Sequence, residues 1–281
     1  MTAFEIRPMT LDDVDAVGEM TAAGGFRDRR DFFRRSLALS SCRPVMAVAA
    51  GQPIGTGLAT IHGAVGWIGV IFVTPELRRQ GIGQALTEAV CDILEEAGCR
   101  SLVLVATDLG RPLYEHLGFR ETSRYHMHPG EPLDAAPVPP AGSSLRRIVP
   151  ADLEAIAQLD RLATGEDRRP LIEANASGGW LLEGSDSAAD LRGYLMPTHR
   201  GNGGLIAHRP EDAFCLIDLH RHLIPRDARS WAGLPAENES GRQLLAGRGS
   251  PEWRSFPRMI RGPESEWRPE MIWGQFSHAL G

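Results

Sequence analysis

Residues Val70 to Leu86 read VIFVTPELRRQGIGQAL, and no other stretch constrains the fold as strongly. The β-branched residues at 70, 71 and 73 predict a strand that stops at Pro75, because proline has no N–H to give to a ladder. Gly81 and Gly83 allow a tight turn with no Cβ in the way. An apolar-periodic segment follows at once, with Leu86, Val90, Ile93 and Leu94 at helical spacing. Strand, glycine turn and helix in that order bring backbone N–H groups together at a helix start, where the dipole favours an anion. Arg78 and Arg79 add charge, so the turn reads as a diphosphate cradle, against the plainer reading of an ordinary strand-to-helix turn with two glycines. A P-loop would need Lys and then Ser or Thr at the second glycine, but Gln84 follows Gly83. A dinucleotide fold would place its glycines after the first strand, whereas this turn follows the fourth predicted one.

Around this centre the first half alternates. Phe4 to Pro8 reads as a strand, and Thr10 with Asp13 has the form of a helix N-cap ahead of Val14, Val17 and Met20. Gly24 and Gly25 stop that helix, and Arg27 to Leu39 reads as a second, basic amphipathic one with Phe32 and Phe33 inward. Pro44 to Ala49, Ile54 to His62 and Trp67 to Val73 form an antiparallel meander through turns at Gly51 and Gly63. The helix after the cradle runs from Gly83 to Ala97, with Gly98 as its C′ residue. Ser101 to Ala106 is a nearly unbroken apolar run, as in a strand buried on both faces. A short helix at Arg111 to Leu117 and a strand at Phe119 to Met127 complete the unit.

Length and charge bound the rest. The 281 residues suit one large domain or two, at roughly 150 residues each. No apolar run approaches the ~20 residues of a membrane span, and the N-terminal residues lack a secretory pattern, so a cytoplasmic protein with no membrane partner is expected. Cys42, Cys91, Cys99 and Cys215 have no metal-binding spacing and read as reduced core residues. With a net charge of −6 and scattered arginines, nucleic acid is not an expected partner, while a small amine would not be repelled. His126 with His128, and Asp218 with His222, lack a third ligand and are assigned to solvated surface, so no metal is expected. Monomer and homodimer both stay open.

Pro129 to Ser144 is rich in Pro, Ala and Gly without periodicity, and reads as a semi-rigid linker. Beyond it the pattern returns. Ile6-Arg7 with Asp13-Val14 matches Leu145-Arg146 with Asp152-Leu153 at an offset of 139 residues, and Thr107, Tyr114 and Gly118 match Asn238, Leu245 and Gly249 at an offset of 131. A duplicated fold is the expectation, against the plainer reading of two amphipathic helices alike by chance, with a catalytic unit at 1–128, the linker at 129–144 and a second copy at 145–281. Where the second cradle should be stands LIAHRPEDA from Leu205, without glycines and with Glu211 and Asp212 at the helix start, so copy two should not bind a diphosphate.

The stretch Thr107 to Phe119, TDLGRPLYEHLGF, is a second anchor. Together with Arg78-x-x-Gly81-x-Gly83 it resembles the GCN5-related N-acetyltransferases (GNAT), which hold the pyrophosphate of acetyl-CoA in the first motif and carry Asn-x-x-Ala-x-x-Leu-Tyr-Glu-x-x-Gly-Phe as the second. Thr107 and Gly110 depart from the Asn and Ala of that pattern, while the tyrosine spacing is kept. The resemblance covers residues 67–119 strongly. It extends faintly over 145–281, where Asp160 to Arg168, Gly193-Tyr194-Leu195 and the terminal Gly274-x-x-Ser277-x-Ala279-Leu280-Gly281 resemble two-domain bacterial members with a degenerate C-terminal copy.

The resemblance implies an α/β fold of tandem units, each a mixed, mostly antiparallel twisted sheet flanked by helices. It implies acetyl-CoA as co-substrate, held by Ile71, Phe72, Val73, Arg78, Arg79, Gln80, Gly81, Ile82, Gly83, Gln84, Thr107, Gly110 and Tyr114. The reaction implied is transfer of acetyl to a primary amine of a small molecule, with Tyr114 as acid for the leaving thiolate and an amide at or near Val73 as donor to the thioester carbonyl; Tyr114 as a packing residue is the plainer alternative. Many relatives use a Glu on the fourth strand as base, but Trp67 to Val73 holds no carboxylate, which leaves His62, Glu19 or water. A non-catalytic acyl-CoA sensor and a different acyl donor are the rival functions. Five of the six tryptophans, at 180, 231, 253, 267 and 273, fall in the second half, where core packing is expected to outweigh an acceptor wall.

Overall fold

The computed structural model describes residues 3–184, 190–198 and 202–281. The first half runs β1 (Glu5–Pro8), α1 (Val14–Ala23), α2 (Arg30–Ala38), β2 (Cys42–Ala49), β3 (Gln52–His62), β4 (Val65–Val73), α3 (Ile82–Glu96), β5 (Ser101–Val105), α4 (Arg111–His116) and β6 (Arg120–Gly130). The second half runs β7 (Ser143–Arg147), α5 (Leu153–Thr164), α6 (Arg169–Asn175), β8 (Trp180–Gly184), β9 (Leu191–Pro197), β10 (Gly203–Ala207), α7 (Pro210–Leu223), β11 (Ser230–Pro235), α8 (Glu239–Gly247), β12 (Arg254–Arg261) and β13 (Ile272–Gly274). Each predicted element of the first half is present, with ends shifted by a few residues. The fold is mixed α/β, and every strand pairing is antiparallel except β4 with β5.

The repeat is visible in side chains as well as in element order. Arg7 donates to both Asp13 oxygens at 2.8 and 2.7 Å, and Arg146 to both Asp152 oxygens at 2.7 and 2.8 Å. Each aspartate also accepts from the backbone N–H three residues before it, of Thr10 and of Val149, closing the first turn of the helix that follows. Cores form where the periodicity predicts. Leu86, Val90 and Leu94 of α3 are fully buried against β2, β3 and β4 on one face of the sheet, while α1 and α2 pack Val14, Val17 and Phe33 on the other. All four cysteines are free and buried.

The sheet does not respect the division between halves. Its order is β1-β2-β3-β4-β5-β12-β6-β11, with a second sheet ordered β13-β10-β9-β8-β7. Strand β12 of the second half lies between β5 and β6 of the first, and β6 lies between β12 and β11 of the second. The expected boundary at residue 128 falls inside β6, because Pro129 and Gly130 pair with Trp231 and Ser230. His128 is correspondingly 2% exposed, with Nδ1 2.8 Å from the Ser250 carbonyl, and His126 sits 2.8 Å from Glu252. The assignment of these histidines to solvated surface is therefore corrected: β11 covers that end of β6. Among the described residues there is no group of three or more metal-ligating side chains, and no helix is long and apolar enough to cross a membrane.

Candidate active site

Two gaps open in the sheets, one in each half. In the first, β4 and β5 pair only from Val65–Ser101 to Ile68–Leu104. Past that point β5 is held by β12, with Val105 opposite Arg258, and β4 by β3, so the strands part. A bulge marks the parting: Gly69 faces Leu58, Phe72 faces Thr56, and both Val70 and Ile71 stand opposite Gly57. Val70 has φ of 53°, and its carbonyl accepts from Thr56 Oγ1 at 2.8 Å. A β-branched residue is held in the left-handed region at a cost of ~1–3 kcal/mol, as is found where a site over-determines the backbone. The break in the ladder thus lies at Val70–Ile71, not at Val73, which is in register with Gly55.

The predicted cradle lies at one end of this gap. A single turn over Pro75–Leu77 follows β4, and α3 starts at Ile82 with Gly81 as N-cap at φ 84°. No side chain caps that first turn, so its N–H groups are turned to the loop with the dipole behind them. The missing Cβ of Gly83 points at Val73 and Leu113, 3.7 and 3.8 Å away, so a side chain there would enter the space between the cradle and α4. Arg78 Nε donates to the Val73 carbonyl at 3.1 Å and is tied to the end of β4, while Arg79 is exposed at the rim. Gln84 donates to Glu88 at 2.9 Å, along the helix. The Phe72 ring stacks on Phe26, centroids 5.1 Å apart, so only its backbone belongs to the gap.

Tyr114 lies on α4, its ring edge-on to Phe119 with centroids 6.1 Å apart. Thr107 Oγ1 accepts from Gly110 N at 3.2 Å in the turn that leads into α4, and a Cβ on Gly110, the N-cap, would stand 3.1 Å from the Tyr114 ring, so glycine there lets the ring fold back on the helix start. Burial pushes the Tyr114 phenol up to about 12, which keeps it protonated at neutral pH.

Neither side chain expected as base is free at the bulge. Glu19 is 77% exposed and faces Arg30 at 3.5 Å. His62 is 1% exposed and its Nε2 donates to the Leu280 carbonyl at 2.8 Å, with burial lowering its pKa. What covers the bulge instead comes from the second half, which the first-half motifs did not foretell. The Trp67 indole donates to buried Glu166 at 3.0 Å. The loop carrying Glu166 is fixed by Arg168, which donates to both Asp160 oxygens at 2.9 and 2.5 Å, with Tyr194 donating to the same carboxylate at 2.5 Å. The terminal segment crosses β3 and β4: Thr60 donates to the Ala279 carbonyl at 3.2 Å, and a Cβ on Gly69 would come 2.5 Å from Ala279. Gly69, set in a β-branched strand, was the one available signal of a close backbone approach.

The second gap is closed. Strand β10 is not paired with β11; β13 sits against β10, Leu205 opposite Gly274 and Ile206 opposite Ile272, and also touches β11. Asn238 caps α8 and donates to the Glu270 and Ile272 carbonyls at 3.2 and 3.1 Å, so it binds the inserted strand. Trp273, 1% exposed, packs edge-on against Phe214. At the start of α7, Asp212 is 1% exposed and burial raises its pKa.

Residues 15–119 match the family model described as acetyltransferase (GNAT) family. The chain is 39% identical over 61 residues to glucosamine 6-phosphate N-acetyltransferase of Trypanosoma brucei brucei, covering 22% of this chain and 42% of that protein. It is 29% identical over 91 residues to a putative acetyltransferase of Bacillus subtilis (strain 168), covering 32% and 62%. The chain therefore spans about two fifths to three fifths of the length of these curated relatives. In fold it is similar over its full length to a putative acetyltransferase from Pyrococcus horikoshii, with TM-score 0.83, 22% identity and 97% of that chain covered. It is also similar to a tandem GNAT protein from the clavulanic acid biosynthesis pathway, with TM-score 0.66, 16% identity and 93% and 100% of the two chains covered. The cradle and the parted strands thus lie within the same residues, 15–119, that match the acetyltransferase (GNAT) family model.

Proposed function

We propose that this chain is an N-acetyltransferase that moves an acetyl group from acetyl-CoA to a primary amine of a small molecule. The observation that carries the reading is the parting of β4 from β5 after Ile68–Leu104, with the uncapped start of α3 following β4. The residues fit the coenzyme: the N–H groups around Gly81 to Gln84 and the charge of Arg79 suit its diphosphate, and the backbone from Val70 to Val73 borders the thread of pantetheine. Acetyl-CoA supplies an activated thioester. The chain supplies an amide at the Val70–Ile71 bulge as donor to the thioester carbonyl, and Tyr114 as the acid that protonates the departing sulfur. Residues 1–128 form the catalytic unit, 129–144 the connection, and 145–281 a degenerate copy that shapes the acceptor side.

Calorimetry with acetyl-CoA, followed by thiol release in the presence of glucosamine 6-phosphate, spermidine or phenethylamine, tests this reading. The amino sugar phosphate is chosen for the trypanosomal relative. One coenzyme per chain and amine-dependent thiol release are expected. Binding without thiol release would make the protein an acyl-CoA binder, and no binding would remove the site.

A further inference from the structure

The acceptor amine must lose a proton, and no carboxylate lies on β4 to take it. The terminal segment brings an imidazole to that place. Ala279 rests on Gly69, the last regular residue before the bulge, and the segment is pinned by Thr60 to the Ala279 carbonyl and by His62 to the Leu280 carbonyl. The preceding residue, His278, lies between Tyr125 and Phe256, with ring centroids 6.1 and 5.1 Å away.

Register gives the height of that ring. Val105 faces Arg258 across β5 and β12, and Ile68 is level with Leu104, so Gly69 is level with Arg258 and, with the bulge taking one step, Phe256 with Phe72 just past it. Ala106, the residue after β5, still donates to the Pro257 carbonyl at 2.9 Å, so Phe256 lies just past the last bond between β5 and β12, and with Ala279 on Gly69 the imidazole lies beside the parting of the strands. It does so on the face opposite α3, since Phe256 alternates with Arg258 and Ile260, and Ile260 packs with Trp67 and Tyr125 away from the α3 core. Its Nε2 is buried with no hydrogen-bond partner among the described residues. A buried polar atom without a partner costs roughly 1–3 kcal/mol, and sites bear that cost where the partner arrives with a ligand.

We propose that His278 is the catalytic base of this chain, taking the proton of the acceptor nitrogen at Nε2. The inference rests on the acetyltransferase reading above. The amine lone pair forms the N–C bond to the thioester carbon, and the C–S bond breaks with its electron pair on sulfur. His278 Nε2 takes the proton of the now cationic nitrogen, Tyr114 gives its proton to sulfur, and both side chains return to their starting states by exchange with solvent. Burial lowers the imidazole to about 4, so it is neutral at pH 7 with its lone pair free. It need not deprotonate a free ammonium ion: once nitrogen has attacked, its N–H is far more acidic. Two other buried groups nearby each keep one partner and leave one atom without: Glu166 holds the Trp67 indole through Oε1 and His62 the Leu280 carbonyl through Nε2, while Glu166 Oε2 and His62 Nδ1 are unpartnered among the described residues, so Glu166→Gln serves as the control below.

The test uses the full chain and thiol release from acetyl-CoA, with the same three amines and with water as acceptors. With the fastest acceptor, His278→Gln is expected to lose about 10²-fold or more in kcat with little change in KM for acetyl-CoA. His278→Gly is expected to regain part of its activity when millimolar imidazole is added, which a role confined to packing would not produce. Undiminished kcat in His278→Gln overturns the proposal. So does a loss in both variants with no imidazole rescue while calorimetry shows unchanged coenzyme binding, or a loss in Glu166→Gln alone. Wild-type protein that releases no thiol with any acceptor overturns the acetyltransferase reading itself, and this assignment falls with it.

Discussion

The two gaps in this molecule sit at corresponding places in the element order of the two halves and have opposite contents. In the first half, β4 and β5 part with no strand inserted between them among the described residues, the helix beside them starts on a glycine with its N–H groups uncapped, and Thr107 closes the turn ahead of α4. In the second half, the same position is taken by β13, the helix starts with Glu211 and buried Asp212, and the corresponding cap is Asn238, whose amide binds the backbone of the inserted strand. A parted pair of strands leaves backbone groups without partners, and something must satisfy them. A ligand does so in one case on the proposed reading, and the chain itself does so in the other.

That contrast is sharpened most by a charge in the open gap. Gly83→Asp should reduce coenzyme affinity by more than about 100-fold in calorimetry, since a carboxylate would sit where a diphosphate is proposed to bind. Acid in the first turn of a helix is favourable, so the thermal midpoint should hold, and a variant that binds normally would remove the cradle. Tyr114→Phe should lower kcat by about 10²-fold with coenzyme affinity unchanged. Because the phenol titrates near 12, the wild-type rate should show no loss from Tyr114 ionisation up to pH 10.

Next in size is the closed gap. Asn238→Ala removes a cap and two bonds to the backbone at Glu270 and Ile272, and should cost about 2–3 kcal/mol in denaturant unfolding, whereas Thr107→Ala should cost about 1 kcal/mol. Equal losses at the two positions would mean that Asn238 does not hold the inserted strand. The smallest effect belongs to Asp212. A carboxyl whose folded pKa is raised contributes stability below its unfolded pKa of about 3.9, and that stability is lost as pH rises through the folded value. Asp212→Asn escapes the loss, so its stability relative to wild type should climb from about pH 4 and level off on the order of 1 kcal/mol higher at neutral pH, with Arg192 at 3.9 Å offsetting part of the gain. A difference that is flat with pH would argue against buried charge at this position.

What the sequence disclosed and what it hid follow one physical line. The cradle was legible because Pro75, Gly81, Gly83 and the spacing of Leu86, Val90 and Leu94 are local signals, each tied to backbone geometry or one helix face. Arg7 with Asp13 and Arg146 with Asp152 were legible as a repeat for the same reason. The exchange of β6 and β12 was not, since strand partners far apart in sequence leave no mark on local periodicity. Nor was the fate of Ile272 to Gly274, a run too short to score as an element. The tryptophans divided: Trp273 is core as expected, while Trp253 is 60% exposed and lies tilted against Trp231. The terminal residues that reach Gly69 were noted for resemblance alone, and nothing local said that they would cross to the other half.

The interleaving of β6 with β11 and β12 has a consequence for how such a molecule can come apart. Each half lends the other an interior strand, so neither can keep its own sheet whole if the partner leaves. Cutting the chain in the proline-rich stretch would therefore not yield two independent proteins, but two fragments bound as tightly as an obligate dimer. Unfolding should be a single event reported alike by the open gap and the closed one, and a change that loosens the second half should be felt at the bulge of the first.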